Sequence, residues 1–325
     1  MRRGIRAFVA IALVALVAVA GERAWRGDGA SAPPQAPDRD DAPVRLPKAV
    51  EPAPKPVAAA HDDGPLGETI ERLKAQQQAG PDDDFRARRE ALERRTAAGD
   101  VGASAELGKL MLSCEFFFDL GEDDVEAVLV EGIARFGKEA LELPESIPLD
   151  AAVDSAKRVL DEQRKLCRGA SGLELSTDER RRALDLLRQG ARAGDAGAMA
   201  TFGLHAFADF ADRRAMIADP QAVRDRKREA LRYLERAIEA GHLDALWIMA
   251  DAYAEGAIVD KSHFLAYAHY YAYGQASVRG GADARPLDTD LLLYAAELTP
   301  EQIADARRRG DAIDAACCRP GDGGS

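Results

Sequence analysis

One short pattern constrains this 325-residue chain more than any other feature. It reads Ala98-Gly99-Asp100-Val101-Gly102-Ala103, then Ala193-Gly194-Asp195-Ala196-Gly197-Ala198, then Ala240-Gly241-His242-Leu243-Asp244-Ala245. Seven residues before each glycine stands a leucine: Leu92, Leu187 and Leu234. Four residues after the last alanine of each copy comes Leu107-Gly108, Phe202-Gly203 or Met249-Ala250. In the third copy Leu231, Leu234 and Ile238 fall at i, i+3 and i+7, and Leu246, Met249, Ala250 and Tyr253 at i, i+3, i+4 and i+7. Each set makes one apolar stripe on a helix. Gly241 stands where a helix closes through a left-handed residue, which glycine adopts at no steric cost. Gly99 and Gly194 hold the same place in their copies. Glu229 to Gly256 therefore reads as two helices joined by a tight turn.

Such a hairpin cannot bury both stripes alone, so its copies must supply the neighbours. Gly194 and Gly241 are 47 residues apart, and Gly99 and Gly194 are 95 apart. Paired helices recurring at roughly 40 residues predict an all-α fold, an α-solenoid of antiparallel helix pairs. The small residues Gly108, Gly203 and Ala250 would let neighbouring helices approach closely.

Composition agrees. The chain is 46% hydrophobic but only 6% aromatic, which suits close helix packing through small side chains. Its formal net charge is -12. A nucleic-acid binder would show a basic face, so no nucleic-acid partner is expected.

Residues 1–20 read as a cleaved signal peptide or as an N-terminal membrane anchor. Arg2, Arg3 and Arg6 precede a 14-residue apolar run, Ala7 to Ala20, and Ala18-Val19-Ala20 has the small-x-small form of a cleavage site. A full membrane span needs about 20 residues. Either reading places the remainder outside the cytoplasm, periplasmic or secreted, in contact with a membrane only through that segment. Residues 21–65 form a Pro-rich region expected to be disordered. Nine of the sixteen prolines lie between Gly27 and Pro65, and large apolar residues are almost absent.

The helical-repeat domain is expected over residues 66–318, followed by a disordered tail at 319–325. Helices are expected from Leu66 to Gln78, Asp84 to Ala98 and Gly102 to Phe118. Ser113 to Ser176 breaks the pattern and reads as an irregular helical insertion (113–176). It holds Cys114, the triplet Phe116-Phe117-Phe118, Pro144, Pro148 and a helix from Asp150 to Cys167. The phenylalanines are expected in the core. A helix opening at Thr177 follows, then one running to about Ala211. Asp219-Pro220 marks the next boundary. Lys261 to Tyr273 begins another unit, with Phe264, Tyr267, Ala268 and Tyr271 on one face and Tyr270 and Tyr273 off it. Helices from Asp288 to Glu297 and from Thr299 to Ala316 close the array, the last with Thr299 as cap, Pro300 at the first position and Gln302 as capping-box partner.

These residues carry a family likeness. Ala230-Leu231-x-Tyr233-Leu234-x-x-Ala237-x-x-Ala240-Gly241-His242-x-x-Ala245-x-x-x-Met249-Ala250-x-x-Tyr253-x-x-Gly256 resembles a Sel1-like repeat, a relative of the tetratricopeptide repeat. The first copy departs from it, with Arg88 where Ala183 and Ala230 stand. The resemblance covers roughly residues 85 to 300, the insertion excepted. It implies a right-handed superhelix of helix pairs and a role as a scaffold or adaptor that binds an unnamed protein or peptide.

The sequence carries few marks of catalytic or metal chemistry. No H-E-x-x-H, G-x-S-x-G or phosphate-cradling glycine loop occurs, and no cofactor, metal or catalytic residue is expected. His263 and His269, six apart, face opposite sides of a helix. His242 is expected to serve the turn or cap, and His205 to lie partly buried on a helix. Four cysteines occur, and an exported chain permits disulfides. Cys114 and Cys167 bracket the insertion, and a bridge there would contribute on the order of 3–4 kcal/mol. That bridge leaves Cys317 and Cys318 free or bridged to each other; the alternative is that they pair with the other two. The leading functional expectation is a non-enzymatic interaction scaffold of a bacterial cell envelope. The alternatives are a cell-wall-associated enzyme or accessory factor with its site in the insertion, and a structural spacer.

Overall fold

The repeated turn builds the same joint three times. The computed structural model describes residues 65–121, 123–131, 148–282, 291–292 and 294–318. Its helices are α1 (Pro65–Ala79), α2 (Asp83–Ala97), α3 (Val101–Cys114), α4 (Leu149–Leu166), α5 (Thr177–Arg192), α6 (Ala196–Leu204), α7 (Arg213–Ala218), α8 (Pro220–Glu239), α9 (Leu243–Glu255), α10 (His263–Arg279) and α11 (Pro300–Cys317). Residues 123–131 are also helical. The leader or anchor, nearly all of the Pro-rich region, Pro144, Asp288 to Asp290 and Leu293 of the helix expected from Asp288 to Glu297, and the tail lie outside the described residues; Leu291, Leu292, Tyr294 and Ala295 are helical.

At the α2–α3, α5–α6 and α8–α9 joints the glycine is left-handed, with φ of +88° at Gly99, +96° at Gly194 and +76° at Gly241. The next residue then starts the second helix. Asp100 accepts a hydrogen bond from the Ala103 N–H at 2.9 Å, and Asp195 from the Ala198 N–H at 2.8 Å. His242 has nearly the same backbone angles but makes no capping bond, because its ring offers no carboxylate to the first turn. Of the two roles expected for it, only the place in the turn is filled.

Second helices pack on the first helices that follow: α3 on α5, α6 on α8, and α9 on α10. Small residues set the spacing. A Cβ at Gly108 would lie 2.7 Å from the Ala183 carbonyl oxygen and 2.9 Å from Leu187 Cγ. One at Gly203 would lie 2.5 Å from Leu234 Cγ and Cδ2. The leucines before the turns thus fill the space that the next glycines leave. Ala183, Leu187, Ala230, Leu234, Ala237, Ala245 and Ala250 are fully buried. The last pair repeats the device, for a Cβ at Gly310 of α11 would lie 2.8 Å from the Ala268 carbonyl oxygen of α10. α10 and α11 therefore complete a fourth pair.

Arg88 departs from the motif because, among the described residues, no second helix of an earlier repeat packs on α2. Its guanidinium lies over the Phe85 ring at 5.5 Å and donates to the Arg168 carbonyl at 3.3 Å. The alanine position faces the turn after α4 instead of another second helix.

The insertion leaves the array intact. α3 meets α5 directly, and the chain leaves the array after Cys114 and rejoins it at Thr177. The sulfurs of Cys114 and Cys167 are 2.08 Å apart, a disulfide with 5.2 Å between the α-carbons. α1 braces the insertion: Thr69 donates to Asp124 at 3.0 Å, and the Gln76 side chain bonds both the N–H and the carbonyl of Asp119.

Two helices end earlier than their apolar patterns suggest. α3 stops at Cys114, not Phe118. Glu115 is extended, Phe116 is left-handed (φ +57°), and its N–H donates to the Leu173 carbonyl at 2.9 Å. That backbone turns Phe116 outwards, so it is 43% exposed while Phe117 is buried; the core expectation fails for Phe116. α6 stops at Leu204, not Ala211. Arg226 of α8 binds the Ala206 carbonyl at 2.7 Å and Asp209 at 3.0 Å, and residues 205–210 fold as tight turns.

Candidate interaction surface

The first helices α2, α5 and α8 are stitched side by side by ion pairs. Arg89 of α2 donates to Glu179 of α5 at 3.0 Å, and also to Glu93 at 3.2 Å. Arg182 of α5 lies 3.9 Å from Glu93. Arg188 of α5 binds Glu229 of α8 with two bonds, at 2.8 and 2.9 Å. These residues flank the buried motif positions: Arg188 follows Leu187, and Glu229 precedes Ala230. Two parallel bonds from a planar guanidinium fix the angle between helices better than one. Arg188 also lies over the Phe202 ring at 4.9 Å, and Arg226 over the same ring at 5.8 Å. Both arginines thus bridge surface charge and aromatic core.

Pairing reinforces the charges on Glu179 and Arg188. Glu179 is pulled below the ordinary carboxylate range by the Ser176 N–H, with Arg89 adding to the effect. Burial works against the Arg188 charge, but Glu229 and Asp185 outweigh it and raise its pKa. Outward of this ledge, Arg182, Asp185 and Gln189 are exposed on α5. Their spacing of three and four puts them on one side of the helix. The result is a firm surface of mixed charge running across three repeats.

The insertion forms a cleft of about 420 Å³ lined by Phe117, Asp119, Asp161, Arg164, Lys165, Arg168 and Gly169. Its two carboxylates are tied to one guanidinium, since Arg164 donates to Asp119 and to Asp161, each at 2.7 Å. Both carboxylates thus share one cationic partner, whereas an acid–base couple needs two carboxyls in contrasting environments.

The tyrosines and histidines belong to the last repeats. Tyr267 and Tyr270 are buried. Tyr270 stacks on Tyr294 at 4.8 Å, and the Tyr294 hydroxyl donates to buried Asp251 at 2.6 Å. Tyr270, off the expected face, is core as well, because α9 and α11 cover α10 on two sides. Tyr273 is half-buried against Tyr270. His269 stacks on Tyr253 at 5.4 Å, with a buried Nδ1 that has no hydrogen-bond partner. Burial pulls its pKa down to about 4, and Arg309 adds to the shift. His205 closes α6, and His263 is half-buried. Among the described residues no cluster of three metal-type side chains occurs, and no helix is long and apolar enough to cross a membrane.

Gly99, Gly194 and Gly241 sit at the three joints, Cys114 and Cys167 form the insertion's disulfide, and Cys317 and Cys318 form an adjacent disulfide at the end of α11. The inter-repeat ion pairs were not found from the sequence. The usable signal was charge of opposite sign beside core positions in successive copies.

No family model and no curated protein matches the chain at a significant level. One solved structure is similar: a protective antigen present in uropathogenic Escherichia coli strains, displaying an SLR fold. It shares 17% identity over 71% of this chain, with a TM-score of 0.26, and the match spans 49% of that protein's length. The architecture rests on this chain's own helix pairs. With their shared left-handed turn and close-packed small residues, they make it an all-α solenoid of antiparallel helix pairs.

Proposed function

We propose that this protein is a non-enzymatic interaction scaffold of a bacterial cell envelope, binding a protein or peptide along the ledge of α2, α5 and α8. The observation that carries the reading is the stitching of successive first helices by Arg89–Glu179 and Arg188–Glu229. It fixes an extended surface in advance, so a partner would not have to order it on binding. The envelope setting is supported by the leader-like or anchor-like N-terminus and by two disulfides, which persist in oxidising compartments. We assign Cys114–Cys167 the role of tying the insertion together, and Gly99, Gly194 and Gly241 that of setting the joints.

The test compares the wild-type chain with the variant Arg182→Glu/Gln189→Glu, both exposed positions outside the buried core. A partner identified by crosslinking in cells should bind the variant at least about tenfold more weakly, a loss of about 1.4 kcal/mol, with the helical spectrum unchanged. Equal affinity for both forms would place the binding surface elsewhere.

A further inference from the structure

Two disulfides of opposite character occur in this chain. Cys114 and Cys167 are fully buried, and their bridge joins positions 53 residues apart. Cys317 and Cys318 are neighbours in sequence, and both are half-buried at the last turn of α11. The first shortens a loop of the unfolded chain, so folding protects it from reduction. The second closes only the small ring of two adjacent residues and restrains no segment. Folding therefore lends it no comparable protection, and its partial exposure lets a thiolate reach sulfur. Exposed disulfides of this kind are the labile ones.

The position matters to the array. The Cys317 carbonyl oxygen lies 3.4 Å from where a Cβ on Gly241 would stand. The Cys318 N–H donates to the Asp314 carbonyl at 2.9 Å, and the Asp314 carboxylate is bound by Arg279 of α10. The pair thus sits where the closing helix touches the third repeat joint.

We propose that Cys317–Cys318 is a redox-active site that exchanges with a dithiol reductant, while Cys114–Cys167 stays closed. A thiolate of the reductant attacks one of the two sulfurs. The S–S bond breaks, and the other sulfur leaves as a thiolate and takes a proton. The reductant's second thiol then resolves the mixed disulfide. Two electrons and two protons pass in total, leaving Cys317 and Cys318 as thiols and the reductant as its disulfide. The product is a vicinal dithiol, a chelator for trivalent arsenicals.

The experiment titrates the folded, oxidised full chain with dithiothreitol, alkylates, and reads each cysteine by peptide mass. Cys317 and Cys318 should be half labelled at a dithiothreitol concentration at least about tenfold below that for Cys114 and Cys167. Capture on immobilised phenylarsine oxide should rise with that first step. It should vanish in Cys317→Ser/Cys318→Ser and persist in Cys114→Ser/Cys167→Ser. If the second variant does not fold, the wild-type labelling order decides alone. Simultaneous opening of both bridges, earlier opening of Cys114–Cys167, or failure of the 317–318 bridge to form on equilibration with oxidised glutathione would overturn the proposal.

Discussion

Replacing Gly108 by alanine tests the close packing on which the array depends. Alanine in a helix interior gains about 1 kcal/mol over glycine from backbone propensity. At Gly108 of α3 the added methyl would lie 2.7 Å from the Ala183 carbonyl oxygen and 2.9 Å from Leu187 Cγ. The first neighbour is backbone and the second is the branch point of a fully buried leucine, so neither yields by a simple rotation. α5 must move away from α3. Overpacking of this kind costs roughly 1–3 kcal/mol, and separating two buried helix faces puts the site at the upper end. Net destabilisation of about 1–2 kcal/mol is expected. The control is Gly102→Ala, where the only near neighbour is Asp100 Oδ1 at 3.3 Å; its effect should stay within about 0.5 kcal/mol. Urea melts followed by circular dichroism give both values, with an unchanged slope showing that the same surface is exposed on unfolding. If Gly108→Ala proves as stable as the wild type or more so, the close approach of α3 and α5 is wrong.

Acid should destabilise the last repeats through His269. It is held neutral, with a pKa of about 4 against the ordinary 6.5. Stability is therefore complete above pH 6.5 and falls as the pH drops through that value towards 4, by about 2 kcal/mol at pH 5. Thermal melts at pH 7 and pH 5 should show the loss, and His269→Leu should flatten it. His242→Asp should restore the cap that its two sister joints have, adding about 0.5–1 kcal/mol; a loss of stability would mean the ring packs in a way that matters more. Arg188→Ala should cost about 1–3 kcal/mol, because it leaves a half-buried Glu229 and strips cover from Phe202. Arg181→Ala, which breaks only an exposed pair within α5, should cost under about 0.5 kcal/mol.

Much of this fold was legible because its defining residues act locally. The left-handed glycines, the aspartate caps and the helix starts at Thr177 and Thr299 need no tertiary information, and each appears where its residues stand. Leu187 and Leu234, with Gly108 and Gly203, could also be read, since the leucine of one copy meets the glycine of the copy before it. The ends of α3 and α6 could not. Phe116 and the run from His205 to Ala211 have helical apolar spacing. They are turned aside by distant partners, the Leu173 carbonyl in one case and Arg226 in the other. The outward Phe116 and the loss of a cap at His242 have the same origin, for neither leaves a mark on hydrophobic periodicity. The ledge was harder still. Its arginines and glutamates look like any solvated helix face until α2, α5 and α8 are set beside one another.

Site-specific photocrosslinking in living cells tests the scaffold reading most directly. A photoreactive residue at Arg182, Asp185 or Gln189 of α5 should capture one and the same identifiable protein or peptide. The same residue at Arg308, exposed on the closing helix, should not. Capture of that partner at Arg308 with none at the three α5 positions would contradict the account.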